Sequence, residues 1–316
     1  MFLALRELCA ARGRVTLMGG TVALITLLLI MLTGLTGGLS KENTSALDSL
    51  DPAHLVFSTE EPSFMESTYS GPLPALGVAQ TKLDSTGVAV FGLPADFSSP
   101  VGSIPSDGLL VPESLGLAAG DTVTLGGVAT TVAGVVDELD YSHQPVVWAP
   151  TELWQAAAHT DADGTVGLST DGAEGVSIRD AYSGLPSYSS ENGSLLTMQG
   201  FLYAISALVT IAFLSVWTIQ RTRDLAVLRA LGASSRYVLR DSLGQAAMLL
   251  AGGVLVGGLL GIGLGTLAAG ALPFDLGWRT LAVPPAGVWL LGIAGAFIAT
   301  RRVAHTDPLI ALGGKA

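Results

Sequence analysis

A chain of 316 residues that is 49% hydrophobic and only 13% charged, with 40 glycines and a mean hydropathy of +0.56, falls outside the range of soluble enzymes and reads as a membrane protein. Its formal net charge of −11 averages over two unlike compartments and implies no nucleic-acid role. The single cysteine, Cys9, excludes an intrachain disulfide.

The first fourteen residues, MFLALRELCAARGR, alternate Phe2, Leu5 and Leu8 with Arg6, Glu7 and Arg12. That pattern suits either an amphipathic segment on the inner membrane surface or a plain cytoplasmic extension of the first helix. Four uncharged runs follow along the chain: Val15 to Ser40, Leu195 to Gln220, Ser242 to Gly270 and Leu281 to Thr300. At about 1.5 Å per residue each can cross a hydrocarbon core of roughly 30 Å. The first is too long for a cleavable signal and is followed by SKENTSALDS instead of a small-x-small site.

The expected organisation is therefore a cytoplasmic segment over 1–14, transmembrane helix 1 over 15–40, and a mixed α/β extracytoplasmic domain over 41–194. Transmembrane helix 2 (195–220), a cytoplasmic helix and loop (221–241), transmembrane helix 3 (242–270), a short outer loop (271–280), transmembrane helix 4 (281–300) and a cytoplasmic tail (301–316) complete it. Orientation follows from charge. Arg6, Arg12 and Arg14 precede helix 1, five arginines lie between helices 2 and 3, and Arg301, Arg302 and Lys315 follow helix 4. These segments belong inside, with both termini cytoplasmic and the chain in the plasma membrane. The segment 40–197 carries Lys41, Lys82 and Arg179 against 21 acidic residues, a net of 3 − 21 = −18, and belongs outside.

Within that outer segment, LVFS (55–58), TGVAVFGL (86–93), DTVTLGG followed by VATTVAGVVD (121–137) and PVVWA (145–149) read as strands, and PTELWQAAA (150–158) as a short helix. HTDADGTVGLSTDGAEG (159–175) reads as a polar, Gly-rich loop. Its Asp161, Asp163 and Gly164 have the opening spacing of a calcium loop but lack the closing Glu, so no metal site is expected there. In helix 3, Gly253, Gly257, Gly261 and Gly265 form a small-xxx-small ladder, a packing seam either within the chain or between two copies.

Catalytic inventories come up empty. There is no HExxH, G-x-S-x-G or CxxC, His54, His143, His159 and His305 are scattered, and none of the three lysines stands in a GK[ST] loop. The chain is not expected to be an enzyme or to bind ATP itself. The densest positive charge is QRTRDLAVLRALGASSR (220–236), four arginines against one acid. On a helix, Leu225, Leu228 and Leu231 lie on or near one apolar face, Arg221, Arg223, Asp224 and Arg229 cover the other, Gly232 stops it and Ser234 is the next N-cap.

RTRDLAVLRALGAS (221–234) resembles the signature after the second helix in ABC transporter permeases of the FtsX and macrolide-exporter superfamily, and ATRRVAHTDPLIAL (299–312) resembles the family's cytoplasmic end. Gln245 departs from it where many relatives carry Glu. The resemblance implies a dimer of this chain with two copies of a separate ABC ATPase, which binds the ATP. It also implies mechanotransmission through a coupling helix whose contacts fall to Arg223, Asp224, Leu225, Leu228, Arg229, Leu231 and Gly232. FLALREL (2–8), LTGLTGGL (32–39) and FSTEEPSF (57–64) further resemble permease subunits of actinobacterial heme exporters. That implies no intrinsic cofactor and heme as the exported substrate. The alternatives are extrusion of lipid, lipoprotein, antimicrobial peptide or drug, and regulation of a wall hydrolase in cell division.

If heme is the substrate, EEPSFMESTY (60–69) supplies the candidate iron ligands. Pro62 turns the chain, Phe64 and Met65 are apolar enough for the bilayer edge, and Glu66 beside them is the leading axial ligand. Met65, Tyr69 and Met31 are the alternatives.

Overall fold

The computed structural model describes residues 12–52, 54–95, 97–170, 175–220 and 234–304. The chain divides into two compact units, Gly38–Ser194 and the pair of segments Met1–Gly37 with Leu195–Ala316. Among the described residues, four helices are long and apolar enough to cross a membrane: α1 (Arg12–Leu50), α4 (Pro186–Gln220), α5 (Ser235–Ala268) and α6 (Trp278–Ala304). All four begin before the expected spans, and α1 and α4 overrun them most. α1 continues past 40 to Leu50, and α4 begins at Pro186 instead of 195. Hydropathy ends where the polar KENTSALDSL begins, but that stretch remains helical because Ala46 and Leu47 bury themselves in the α/β core. Asp51, with φ 43, ends the helix in the left-handed region, and Pro186 opens α4 with a fixed φ and no N–H to orphan.

Between α1 and α4 lie twelve strands and two short helices among the described residues. The principal strands are β1 (His54–Val56), β2 (Ala75–Leu83), β3 (Thr86–Leu93), β6 (Leu109–Pro112), β7 (Thr122–Leu125), β8 (Val128–Val136), β10 (Gln144–Pro150) and β11 (Val166–Ser169). Smaller strands are β4 (Ser98–Ser99), β5 (Gly102–Ser103), β9 (Asp140–Tyr141) and β12 (Val176–Ser177). The helices are α2 (Thr151–Ala158) and α3 (Ile178–Ala181). The main sheet runs β12-β1-β11-β2-β3-β10-β6-β8-β7, and β7 also meets β2 at Leu83 opposite Leu125, so its larger part curls back on itself.

The β3 sequence TGVAVFGL is nearly unbroken in its apolarity because both of its faces are buried. Ala89, Phe91 and Leu93 enter one core, while Val88 and Val90 enter the other. β10, its parallel neighbour, divides in the same way, with Val146 and Trp148 on one side and Val147 and Ala149 on the other. α2 covers the second core by laying Trp154 against the bare backbone of Gly77 and Gly92.

Three of the principal strands, β2, β6 and β11, lie where the sequence pattern shows no strand, as do the small β4, β5, β9 and β12. β2 is central, but its ALGVAQTKL is diluted by Gly, Ala and Gln. β11 (VGLS) falls inside the segment expected to be a polar loop, yet all four of its residues are buried, paired with β1 and β2. Turn-forming neighbours hid a strand that tertiary pairing makes.

In the membrane unit the glycine ladder faces α1. A Cβ on Gly253 would stand 2.8 Å from the Gly19 carbonyl oxygen, one on Gly257 2.8 Å from Thr26 Cβ, and one on Gly261 2.9 Å from Ile30. One on Gly265 would meet Phe274 and Leu276 at 2.9 Å. The seam is thus an intrachain contact. Gly287, Gly292 and Gly295 of α6 seat Tyr203, Leu250 and Ile211 in the same manner.

Candidate functional site

The segment from 57 to 69 is a tightly tied turn. Phe64 points inward and is buried, edge-on to Phe57 at 5.0 Å and to Tyr141 at 5.9 Å, and Tyr141 continues the contact chain to Phe91 and Trp148. This corrects the expectation that Phe64 sits at the bilayer edge: the aromatic core of the α/β unit takes it. Polar ties hold the rest. Ser67 Oγ donates to the Thr165 carbonyl at 2.8 Å and accepts from Ser58 N–H at 3.0 Å, and Tyr69 exchanges both backbone hydrogen bonds with Gly164 at 2.7 and 3.1 Å.

What this framework presents is Met65 and Glu66. Met65 is 81% exposed, the largest exposure among the unit's big apolar side chains, and Glu66 is exposed beside it, its backbone N–H donating to Ser63 Oγ at 3.3 Å. A rigid base thus displays one thioether and one carboxylate side by side, a soft and a hard ligand for a cation. The desolvation expected for Glu66 is not supplied by this chain's own fold, so a partner surface or lipid would have to supply it.

The other two ligand candidates lie elsewhere. Tyr69 is buried, its ring pressed on Gly71 and Gly167, and its phenol oxygen accepts from the Leu73 N–H at 3.2 Å, so it serves the core. Met31 is half-buried on α1 within the membrane unit. Beside Met65 opens a cleft of about 510 Å³ lined by Phe64, Val78, Gln80, Tyr141, Ser142 and Ser187 among others. Burial pushes the Tyr141 phenol above its ordinary range, so it stays neutral as a wall of that cleft. Phe64→Ala is expected to destabilise the unit by roughly 3–5 kcal/mol. It should also loosen the 57–69 turn, a change seen as a lower melting temperature and faster hydrogen exchange over that segment.

In the membrane unit, the LTGLTGGL stretch has a physical reason. Gly34 takes the ring of Phe274 against its bare backbone, Asp275 N–H donates to the Gly34 carbonyl at 2.9 Å, and a Cβ on Gly37 would stand 3.0 Å from that of Asp275. The glycines receive the loop between α5 and α6. Gln245 is buried, and its amide donates to Asp241 at 2.9 Å. Arg223, Asp224, Leu225, Leu228, Arg229, Leu231 and Gly232 lie outside the described residues, as do the tail residues from His305 onward. The described chain resumes at Ser234, whose side chain accepts from the Tyr237 N–H at 3.2 Å, the expected cap of α5.

Residues 197–308, the three later membrane helices and what connects them, match the FtsX-like permease C-terminal family. That stretch is an FtsX-like permease domain. Full-length relatives agree with that assignment. A protein of Staphylococcus haemolyticus bearing the name hemin transport system permease protein HrtB is 24% identical over 349 aligned positions, covering 99% of both chains. A Staphylococcus epidermidis protein of the same name is 22% identical, again over 99% of each. An uncharacterized ABC transporter permease of Mycobacterium tuberculosis H37Rv is 25% identical over 99% of each. The relatives' class, ABC transporter permeases, implies an ATPase partner.

Proposed function

We propose that this FtsX-like permease exports heme from the membrane, working as a pair of copies with two ATPase subunits. The observation that carries the reading is the Met65–Glu66 pair, held outward on a tied base in a chain similar from end to end to proteins named for hemin transport. With the charge pattern placing residues 41–194 outside, Glu66 from each copy would offer a carboxylate to one face of a shared heme iron, and Met65 lies next to it as an alternative ligand. In this reading the segment 221–235 couples to the ATPase, with Leu228 and Leu231 as apolar anchors and Arg223 and Arg229 as charge contacts.

The test is the chain co-purified with its ATPase in nanodiscs, titrated with hemin and followed by the Soret band, alongside heme tolerance of cells. Wild type is expected to give a ligated Soret band and protection. Glu66→Ala should lose both while still co-purifying with the ATPase. A Glu66→Ala variant with an unchanged spectrum and unchanged tolerance moves the ligand to Met65 or Met31. A wild type that neither binds hemin nor protects cells overturns the heme reading. The net charge of −18 over 40–197 supports a second cargo class, a cationic peptide or drug. Hemin and a cationic peptide should then be compared for stimulation of ATP hydrolysis.

A further inference from the structure

The connection between β9 and β10 is a two-residue hairpin turn in which both Ser142 (φ 52) and His143 (φ 61) occupy the left-handed region. Such turns prefer Asn-Gly or Asp-Gly, so a Ser-His pair is a disfavoured choice that its surroundings must hold in place. They do so through α1. Ser142 N–H donates to the Asn43 carbonyl at 3.2 Å, His143 N–H to the Glu42 carbonyl at 3.1 Å, and Asp140 N–H to Ser45 Oγ at 2.8 Å.

The turn delivers the His143 ring between two carboxylates from helices distant in sequence. Nδ1 lies 3.0 Å from Oε2 of Glu42 on α1, and Nε2 lies 3.0 Å from Oε2 of Glu191 on α4. When the imidazole is protonated both nitrogens donate, one to each carboxylate. When it is neutral with its proton on Nδ1, Nε2 has nothing to donate and faces Glu191 lone pair to lone pair. A donor then stands ready for it: the amide Nδ2 of buried Asn43, 3.0 Å from Nε2. That amide has two hydrogens, one on the Leu39 carbonyl at 3.1 Å and one within reach of both Glu191 Oε2 at 3.2 Å and the ring, so a neutral ring draws off a donor that otherwise serves Glu191 and a protonated ring leaves it there.

We propose that His143 is a proton-operated latch, joining the Glu191 end of α4 to the Glu42 end of α1 when protonated and releasing it as pH rises. The groups facing the ring are Glu42 from α1, Glu191 from α4 and Asp140 from β9, with Glu138 acting on Asp140. Burial works against the charged ring, but the hydrogen bonds it donates to Glu42 and Glu191 and the attraction of their charges together outweigh it, and the His143 pKa is raised. Asp140 is pushed up to about 6, by burial first and then by Glu138 and Glu42, with His143 opposing. Both folded-state pKa values lie above the unfolded ones. The stability each contributes is complete below the unfolded value, and it is lost as pH rises, through about 6 for Asp140 and through a point above 6.5 for His143. Acid closes the latch and alkali opens it.

The latch borders the cleft beside Met65. Ser187 Oγ donates to Asn43 Oδ1 at 2.8 Å and lies 3.0 Å from Ser142 Oγ, and both serines line the cleft. Freeing Glu191 loosens the wall that Ser187 provides, so proton concentration sets how firmly the cleft is held. This holds for whatever cargo the transporter carries.

The measurement is hydrogen exchange of the full chain with its ATPase in nanodiscs from pH 5.5 to 8.5, corrected for intrinsic exchange rates. In wild type, protection over 140–145 and 186–194 is expected to fall as pH rises, by up to ~10-fold for each unit by which the folded imidazole's pKa exceeds the unfolded one. His143→Gln should flatten that profile, and Glu191→Gln should move its midpoint to lower pH. Matching profiles for wild type and His143→Gln overturn the latch. An unmoved midpoint in Glu191→Gln does so as well, and decides alone if His143→Gln fails to fold.

Discussion

Leu228→Asp is expected to abolish ATP hydrolysis coupled to this permease while leaving all four membrane helices inserted. The expectation rests on the sequence RTRDLAVLRALGAS, in which Leu225, Leu228 and Leu231 recur at a spacing that would put them on one side of a helix, among three arginines. A permease can pass force only through a contact that excludes water, and one anchor at the centre of such a contact typically carries a few kcal/mol. Aspartate removes that anchor and asks a carboxylate to enter an apolar groove, adding a desolvation cost of several kcal/mol. A combined loss of about 4 kcal/mol or more weakens binding ~1,000-fold. Membrane insertion is untouched, because residue 228 lies between the spans Pro186–Val216 and Leu239–Ala268 and in neither. Co-purification of the ATPase with the variant, together with cargo-stimulated hydrolysis at the wild-type rate, would show that 221–235 is an ordinary charged loop. Leu228→Met keeps an apolar side chain of similar volume and should retain most of the activity.

How much of the architecture could be read from sequence follows from which forces are local. The four spans were legible because lipid demands long apolar helices whatever surrounds them. β3 and β10 were legible because burial on both faces writes an unbroken apolar run. β2 and β11 were not, since Gly77, Ala79 and Gln80 in one and the brevity of VGLS in the other carry little strand signal until neighbours pair with them. The helix ends were misjudged for a related reason: the extension of α1 to Leu50 is stabilised by Ala46 and Leu47 entering a core that hydropathy along the chain does not reveal. In the 60–69 turn, residue types were legible but their directions were not. Phe64 and Met65 look alike in apolarity, and only the edge-on contacts with Phe57 and Tyr141 decide that Phe64 turns in and Met65 out. The His143 cluster was invisible, because Glu42, His143 and Glu191 are far apart in sequence and meet through a turn whose Ser-His pair carries no turn signal.

Gly257→Leu should cripple the membrane unit, while Gly252→Leu and Gly263→Leu on the same helix should not. A Cβ at 257 would overlap the Ala23 carbonyl oxygen and stand 2.8 Å from Thr26 Cβ and 3.0 Å from the Ala23 carbonyl carbon. Two of those atoms are backbone, so no change of rotamer on α1 relieves the clash, and α5 itself has to move away. Thr26 cannot easily make room either: it is buried, and its hydroxyl is spent on the Val22 carbonyl at 2.8 Å. Separation at 257 also opens the neighbouring contacts at Gly253 and Gly261, because all three sit on one face of a stiff helix four residues apart. Overpacking of this kind costs about 1–3 kcal/mol at a single adaptable site, and a rigid seam belongs at or above the upper end. At Gly252 and Gly263 nothing lies within 4 Å of the added Cβ, so leucine there projects away from the seam. Thermal unfolding of the three variants in detergent, with size-exclusion profiles and ATPase co-purification, separates the cases. A Gly257→Leu protein that melts with wild type would mean that α1 and α5 do not meet through this ladder, and equal losses in all three would place the cost in a contact on the outer face.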